Sequence, residues 1–269
     1  MSRIATRFTA LGDGGRKALV TFITAGDPST DVTLAMMHAL VEAGANIIEL
    51  GVPFSDPMAD GPVIQLANER ALANGVTMSD VFEVVARFRA SDEDTPVVLM
   101  GYLNPIEAKG YERTARQAAE AGVDGFIVVD APPEESQELH AALRAQQLDL
   151  IFLIAPNTDE ARIRMICSQA SGFVYYVSLK GVTGAGNLDV VAVEEKVAQI
   201  KSITDLPVGV GFGISNGAAA ASVAEISDAV VVGSALITRV AQRLSDVKAI
   251  PAHVAELVRS MRTAMDGRG

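Results

Sequence analysis

The chain has 269 residues, of which 49% are hydrophobic and only 5% aromatic, and its formal net charge is -11. That acidic balance argues against a surface for nucleic acid or anionic membrane, because both call for clustered Lys and Arg. Cys167 is the single cysteine, which excludes an internal disulfide and any C-x-x-C zinc or redox pair.

From the N-terminus, residues 1–11 carry Ile4, Phe8 and Leu11 at helical spacing, with Arg3 and Arg7 between them. The segment lacks the apolar stretch of a secretory signal and predicts a short helix belonging to the fold. No apolar run is long enough to span a bilayer, so a cytoplasmic protein is expected.

Short apolar runs then alternate with amphipathic stretches. The runs are Ala18–Thr24, Asn46–Gly51, Val97–Gly101, Gly125–Asp130, Asp149–Ile154, Phe173–Ser178, Pro207–Gly211 and Asp228–Val232. Most are near-continuous in Val, Ile and Leu, as strands buried on both faces are. Helical patterns separate them: Val32–Ala43, Tyr111–Ala121, Glu134–Gln146, Asp159–Ser168, Val191–Ser202 and Gly217–Ile226. The gap after the second run holds two patterns, Pro62–Asn74 and Ser79–Arg89. Eight strand–helix units in a chain of this length predict an α/β fold, a single (β/α)8 TIM barrel with an extra N-terminal helix and an inserted helix after strand 2. No linker or low-complexity tract interrupts it, so residues 1–269 are read as one domain. His38, His140 and His253 are far apart and sit in helical patterns; they read as surface or packing residues, and no metal site is expected.

In such a barrel the strand C-termini and the loops after them form the site. In the second run, alternation gives Glu49 the facing of Ile47, opposite to Ile48 and Leu50. With Ile48 and Leu50 against the outer helices, Glu49 points inward at the rim, where apolar neighbours raise its pKa into the range of a general acid–base. In the following loop, Val52 to Pro62, Pro62 suits the first position of a helix. Asp60 is therefore either a capping or turn aspartate or a positioned charged group, and spacing leaves both open. Asp56 has the same ambiguity.

Toward the C-terminus, Gly209 to Ser215 and Val231 to Ala235 end the seventh and eighth runs with glycine-rich turns. Barrel phosphate sites use these two loops and the N-terminus of a short extra helix, here predicted to start at Ser234. Gly217 falls one residue late for a dinucleotide fingerprint, and no P-loop is present. The glycine-rich stretch from Lys180 to Asn187 reads as a lid or as a plain flexible connection. Phe22, Tyr102, Tyr175 and Phe212 all lie at strand ends; with Met100, Ile127 and Val129 they could line an apolar slot for a flat ring.

The block from Glu49 to Pro62, ELGVPFSDPMADGP, resembles the signature of the tryptophan synthase α subunit family. The resemblance extends through Gly26-Asp27-Pro28, Asn104-Pro105-Ile106, Asp130 with Pro132, Gly181-Val182-Thr183-Gly184, Gly211 to Ser215 and Gly233-Ser234-Ala235. It implies a lyase that cleaves indole-3-glycerol phosphate to indole and glyceraldehyde 3-phosphate without a cofactor in this chain. By the same resemblance, Glu49 is the acid–base at the indole carbon and Asp60 the anion at the indole N–H. Thr183 meets Asp60 from the lid. Gly184, Gly213, Gly233 and Ser234 hold the phosphate, and Phe22, Met100, Ile127, Val129, Tyr175 and Phe212 enclose the ring. The implied partner is a β subunit carrying pyridoxal phosphate, in an α2β2 heterotetramer, with Asp56, Asn104 and Pro132 at the interface. Departures are Thr21 where the family has Pro, Gly101 where a larger residue is common, and Lys180 with Ala185-Gly186 in the lid; they bear on lid kinetics and coupling. The alternatives are a stand-alone indole-releasing lyase, another phosphate-binding barrel enzyme such as an isomerase or synthase, and a regulatory subunit that activates a β subunit.

Overall fold

The computed structural model describes residues 2–178, 190–211 and 213–267. Nine strands form one sheet: β1 (Ala18–Thr24), β2 (Ile47–Gly51), β3 (Val97–Gly101), β4 (Gly125–Val128), β5 (Asp149–Ile151), β6 (Leu153–Ile154), β7 (Val174–Val177), β8 (Val208–Gly211) and β9 (Ala229–Val232). Their order is β5-β4-β3-β2-β1-β9-β8-β7-β6, and each pairing is parallel. β5 and β6 are the halves of the single run expected at residues 149–154, interrupted at Phe152. The sheet stays joined across the interruption, where the Tyr175 amide donates to the Phe152 carbonyl at 3.0 Å. The result is the expected eight-unit barrel with one broken strand.

The helices are α1 (Arg3–Asp13), α2 (Thr30–Glu42), α3 (Pro62–Ala73), α4 (Met78–Arg89), α5 (Leu103–Lys109), α6 (Tyr111–Ala121), α7 (Gln137–Ala145), α8 (Glu160–Gln169), α9 (Val190–Lys201), α10 (Gly217–Ile226), α11 (Ser234–Ala241) and α12 (Ile250–Asp266). None of those described is long and apolar enough to cross a membrane. α3 and α4 fill the gap between β2 and β3, as the two amphipathic patterns predict. α5 and α12 are additional to the sequence reading. Residues 134–136, expected to begin a helix, form a turn before α7.

Strand alternation sorts the apolar side chains into two cores. Val20, Ile47, Val98, Ile127, Ile151, Phe173 and Val231 fill the barrel interior. Leu19, Ile23, Ile48, Leu50, Leu99 and Phe126 pack outward against Met36, Leu40 and Phe88 of the helices. Helix α1 closes the N-terminal end of the barrel: Ile4 and Leu11 join the interior core, and the Phe8 ring meets Phe173 with centroids 5.8 Å apart. The helix begins where the Ser2 hydroxyl accepts from the Ala5 amide at 3.2 Å, satisfying an otherwise orphaned donor.

At the opposite end, the loop after β1 is tied to α3 by an ion pair. Arg70 Nε and Nη2 donate to the two carboxylate oxygens of Asp27 at 2.7 and 2.8 Å, and Asp27 is only 1% exposed. Removing the cation would leave a buried carboxylate without its partner. Arg70→Met is therefore expected to lower stability by roughly 3 kcal/mol, measured by urea denaturation at neutral pH; a change within error of zero would show that the pair holds nothing in place.

Candidate active site

A cavity of about 490 Å³ opens at the C-terminal ends of the strands. Phe22 of β1, Glu49 of β2, Met100 of β3, Val129 after β4, Leu153 of β6 and Tyr175 of β7 line its deep, largely apolar part. Asp60 and the first turn of α3 form one wall. Gly213, Ile214 and Ser215 after β8 and Gly233, Ser234 and Ala235 at the start of α11 form another. The volume lies within the ~300–1,000 Å³ usual for small-molecule sites.

Strand register explains the position of Glu49. It pairs across the sheet with Phe22 on β1 and Val98 on β3, and it shares the inward facing of Ile47. Glu49 is 1% exposed, and its Oε2 is buried with no hydrogen-bond partner among the described residues. Burial, and secondarily the charge of Asp60, push its pKa up to about 8. A carboxyl group in this state is protonated at neutral pH and is close to its titration point, as a general acid–base must be.

Asp60 differs in its partners. Its Oδ2 accepts from the Tyr102 hydroxyl at 3.1 Å and, more weakly, from Asn68 Nδ2 of α3 at 3.5 Å. Burial raises its pKa, while the two donors oppose that rise by stabilising the anion. The helix-cap alternative for Asp60 is overturned: the cap of α3 is Gly61, with no side-chain cap bond, and Pro62 opens the helix. The main-chain carbonyl of Asp60 accepts from Gln65 Nε2 at 2.8 Å. Two carboxyl groups thus share one cavity in unlike settings: Glu49 Oε2 has no partner among the described residues, and Asp60 is held by two donors.

The raised pKa of Glu49 has a stability consequence. Below about pH 4.5 the group is neutral folded or unfolded. Between that value and about 8 the unfolded chain releases the proton while the folded chain retains it, so folded-state stability falls as pH rises through this window. Glu49→Gln removes the penalty. The variant is expected to be more stable than the parent by roughly 2–4 kcal/mol at pH 8 and nearly equal to it at pH 4.5. Urea denaturation at the two pH values checks this; a variant with no growing advantage would contradict the raised pKa.

The opposite wall is rich in backbone donors. Gly213 has φ +75°, a conformation open to glycine. The start of α10 is closed by the Asn216 side chain, which accepts from the Ala219 amide at 3.0 Å. Helix α11 instead starts from Gly233 with no side-chain cap. Its first-turn amides and positive helix end therefore face the cavity without a competing side chain.

Several expected positions fall elsewhere. Ile127 is fully buried in the barrel interior, and Val129, two residues further on and just past the end of β4, reaches the cavity wall. Tyr102 also leaves the ring slot: it stands behind Asp60 with its hydroxyl on the carboxylate. Phe212, Thr183, Gly184 and the rest of the glycine-rich stretch lie outside the described residues. Asp56 and Asn104 are exposed and Pro132 is half-buried; they follow the adjacent strands β2, β3 and β4 at the rim. Ser215 lies in the glycine-rich loop expected there; Leu153 was not anticipated, nor was Asn68, although a buried amide between Ala67 and Ala71 on an otherwise apolar helix face is a legible signal.

Barrel, cavity and paired carboxyl groups define an enzyme of the (β/α)8 class built for acid–base chemistry on a small molecule. A family model described as tryptophan synthase alpha chain matches residues 8–266. The chain is 61% identical over 266 residues to the tryptophan synthase alpha chain of Thioalkalivibrio sulfidiphilus, covering 99% of this chain and 100% of that one. It is 58% identical to that of Nitrosococcus oceani, covering 99% and 98%. Among solved structures, tryptophan synthase subunit alpha from Legionella pneumophila superposes with a TM-score of 0.93 at 44% identity, covering 99% of both chains. The aminoacrylate-bound tryptophan synthase from M. tuberculosis gives 0.88 at 35% identity, covering 98% and 100%. The chain belongs to the tryptophan synthase alpha chain family.

Proposed function

We propose that this chain is a carbon–carbon lyase performing the α reaction of tryptophan biosynthesis, the retro-aldol cleavage of indole-3-glycerol phosphate, with Glu49 as acid–base and Asp60 as stabilising anion. The observation that carries the assignment of roles is the contrast between them. Glu49 is buried, its Oε2 has no partner among the described residues and its pKa is pushed up to about 8, whereas Asp60 on the same cavity is held by Tyr102 and Asn68.

The indole ring occupies the apolar end beside Phe22, Met100, Val129 and Tyr175. The phosphate occupies the end formed by Gly213, Gly233 and Ser234. Glu49 donates its proton to the ring carbon that bears the glycerol chain. The ring becomes cationic, and Asp60, accepting the indole N–H, stabilises that charge in a largely apolar cavity. The bond between the ring carbon and the side chain then breaks. Its electrons return to the ring to give neutral indole, and the adjacent hydroxyl loses its proton to become the aldehyde of glyceraldehyde 3-phosphate. The Glu49 carboxylate formed in the first step is the base for that proton, so the enzyme ends as it began.

No cofactor is needed in this chain. The partner is a tryptophan synthase β subunit that carries pyridoxal phosphate and receives the indole, in an α2β2 heterotetramer in the cytoplasm. Asp56, Asn104 and Pro132 face it from the rim of β2, β3 and β4. Incubating the purified chain with indole-3-glycerol phosphate tests the reaction: indole and glyceraldehyde 3-phosphate appear in equal amounts. A rearranged product without free indole would instead mark an isomerase.

A further inference from the structure

We propose that Tyr102 is a positioning residue for the cleavage: its hydroxyl fixes the Asp60 carboxylate in place and locks the loop that carries it. This rests on the reading of Asp60 as the anion at the indole N–H. Tyr102 sits at the junction of β3 and α5 and is 4% exposed. Three contacts run from this one side chain to the β2–α3 loop. Its ring stacks on Phe54 near the start of the loop, centroids 5.0 Å apart and planes 29° apart. Its hydroxyl oxygen accepts the Ala59 amide at 3.0 Å. The same hydroxyl reaches Asp60 Oδ2 at 3.1 Å.

The direction of that last bond follows from the inventory of the group. A phenol has one proton and accepting lone pairs. The Ala59 N–H can only donate, so it takes a lone pair, and the single proton is free for the carboxylate. Tyr102 is therefore a fixed donor to Asp60. Burial and the Asp60 charge hold its own pKa well above the usual phenol value, so the donor persists across the working pH range.

The junction itself is braced. The Asp130 carboxylate, at the end of β4, accepts the Leu103 amide at 2.8 Å, which satisfies the first turn of α5 immediately after Tyr102. Tyr102 does not line the main cavity, so it acts through Asp60 rather than on substrate. The titratable groups facing Asp60 are Glu49 from β2 and Tyr102 from the end of β3. Asn68 from α3 adds a neutral amide, and among the described residues no Lys or Arg pairs with Asp60.

Tyr102→Phe keeps the ring and its stacking and removes only the hydroxyl. Steady-state cleavage of indole-3-glycerol phosphate is followed from pH 5 to 9 for the parent chain, Tyr102→Phe and Asp60→Asn. Loss of one charge-assisted donor predicts a kcat about tenfold lower, with KM changed less than about twofold. The donor lowers the pKa of Asp60, so its removal moves the acid limb of the kcat profile to higher pH. A parental kcat and limb, or a fall in kcat with an unmoved limb and a raised KM, would overturn the proposal and leave Tyr102 as packing. If Asp60→Asn cleaves at the parental rate, the reading of Asp60 fails and this inference with it. If Asp60→Asn is inactive while Tyr102→Phe is unaffected, only the inference about Tyr102 fails.

Discussion

Glu49→Gln is expected to lower kcat for cleavage of indole-3-glycerol phosphate by at least about 10³-fold, within the upper range for loss of a general acid–base. The isosteric amide cannot give up a proton to carbon at neutral pH, and the described residues of the cavity offer no replacement. Asp60 is held by the Tyr102 and Asn68 donors, and Tyr175, a further titratable group beside Glu49, has its phenol raised well above the ordinary value by burial and by the Glu49 charge. In the proposed reaction Glu49 meets the reacting carbon and not the phosphate, so KM should change little. Activity of a folded Glu49→Gln protein within about tenfold of the parent would remove Glu49 from the chemistry. The accompanying gain in stability at pH 8 separates this outcome from misfolding: a variant that is inactive and more stable has lost chemistry, not structure.

Asp60→Asn is expected to lower kcat by about 10²–10³-fold, the range for deleting one preorganised electrostatic contact to a developing charge. Binding of glycerol 3-phosphate, which carries the phosphate and lacks the indole ring, should change by less than about twofold. Isothermal titration together with the cleavage assay reads both quantities. Equal losses in both would mean that Asp60 shapes the cavity rather than stabilising a cation. Asn also differs from Asp at the Tyr102 hydroxyl, since it accepts as a neutral carbonyl; part of the loss therefore arises from the contact described for Tyr102→Phe.

The two carboxyl groups differ in how far the chain itself reveals them. The orientation of Glu49 follows from strand alternation alone, because Ile47, Ile48 and Leu50 are apolar and only one assignment of faces puts Ile48 and Leu50 against the helices. The structure bears that assignment out in its two separate cores. Asp60 cannot be assigned by local spacing. Its partners are Tyr102 and Asn68, 42 and 8 residues away, and only the closed barrel brings them to it. Helix α5 is hidden for a different reason. Pro105 inside a short polar segment reads as a loop, yet it falls in the first turn of the helix, where its missing N–H has no intrahelical partner to lose. Ile127 marks the limit of reasoning from strand ends: facing is given by alternation, but depth depends on strand tilt and register. Residue 127 therefore stays in the interior while residue 129 reaches the wall.

The central claim is that a proton delivered to the ring carbon by Glu49 drives carbon–carbon cleavage. Running the reaction in deuterium oxide and reading the products by NMR tests it most directly. The account predicts indole carrying one deuteron at the cleaved carbon, formed in equal amount to glyceraldehyde 3-phosphate by the parent chain, with neither product formed at a comparable rate by Glu49→Gln. Labelled indole released equally fast by folded Glu49→Gln, or consumption of substrate without indole, would contradict it.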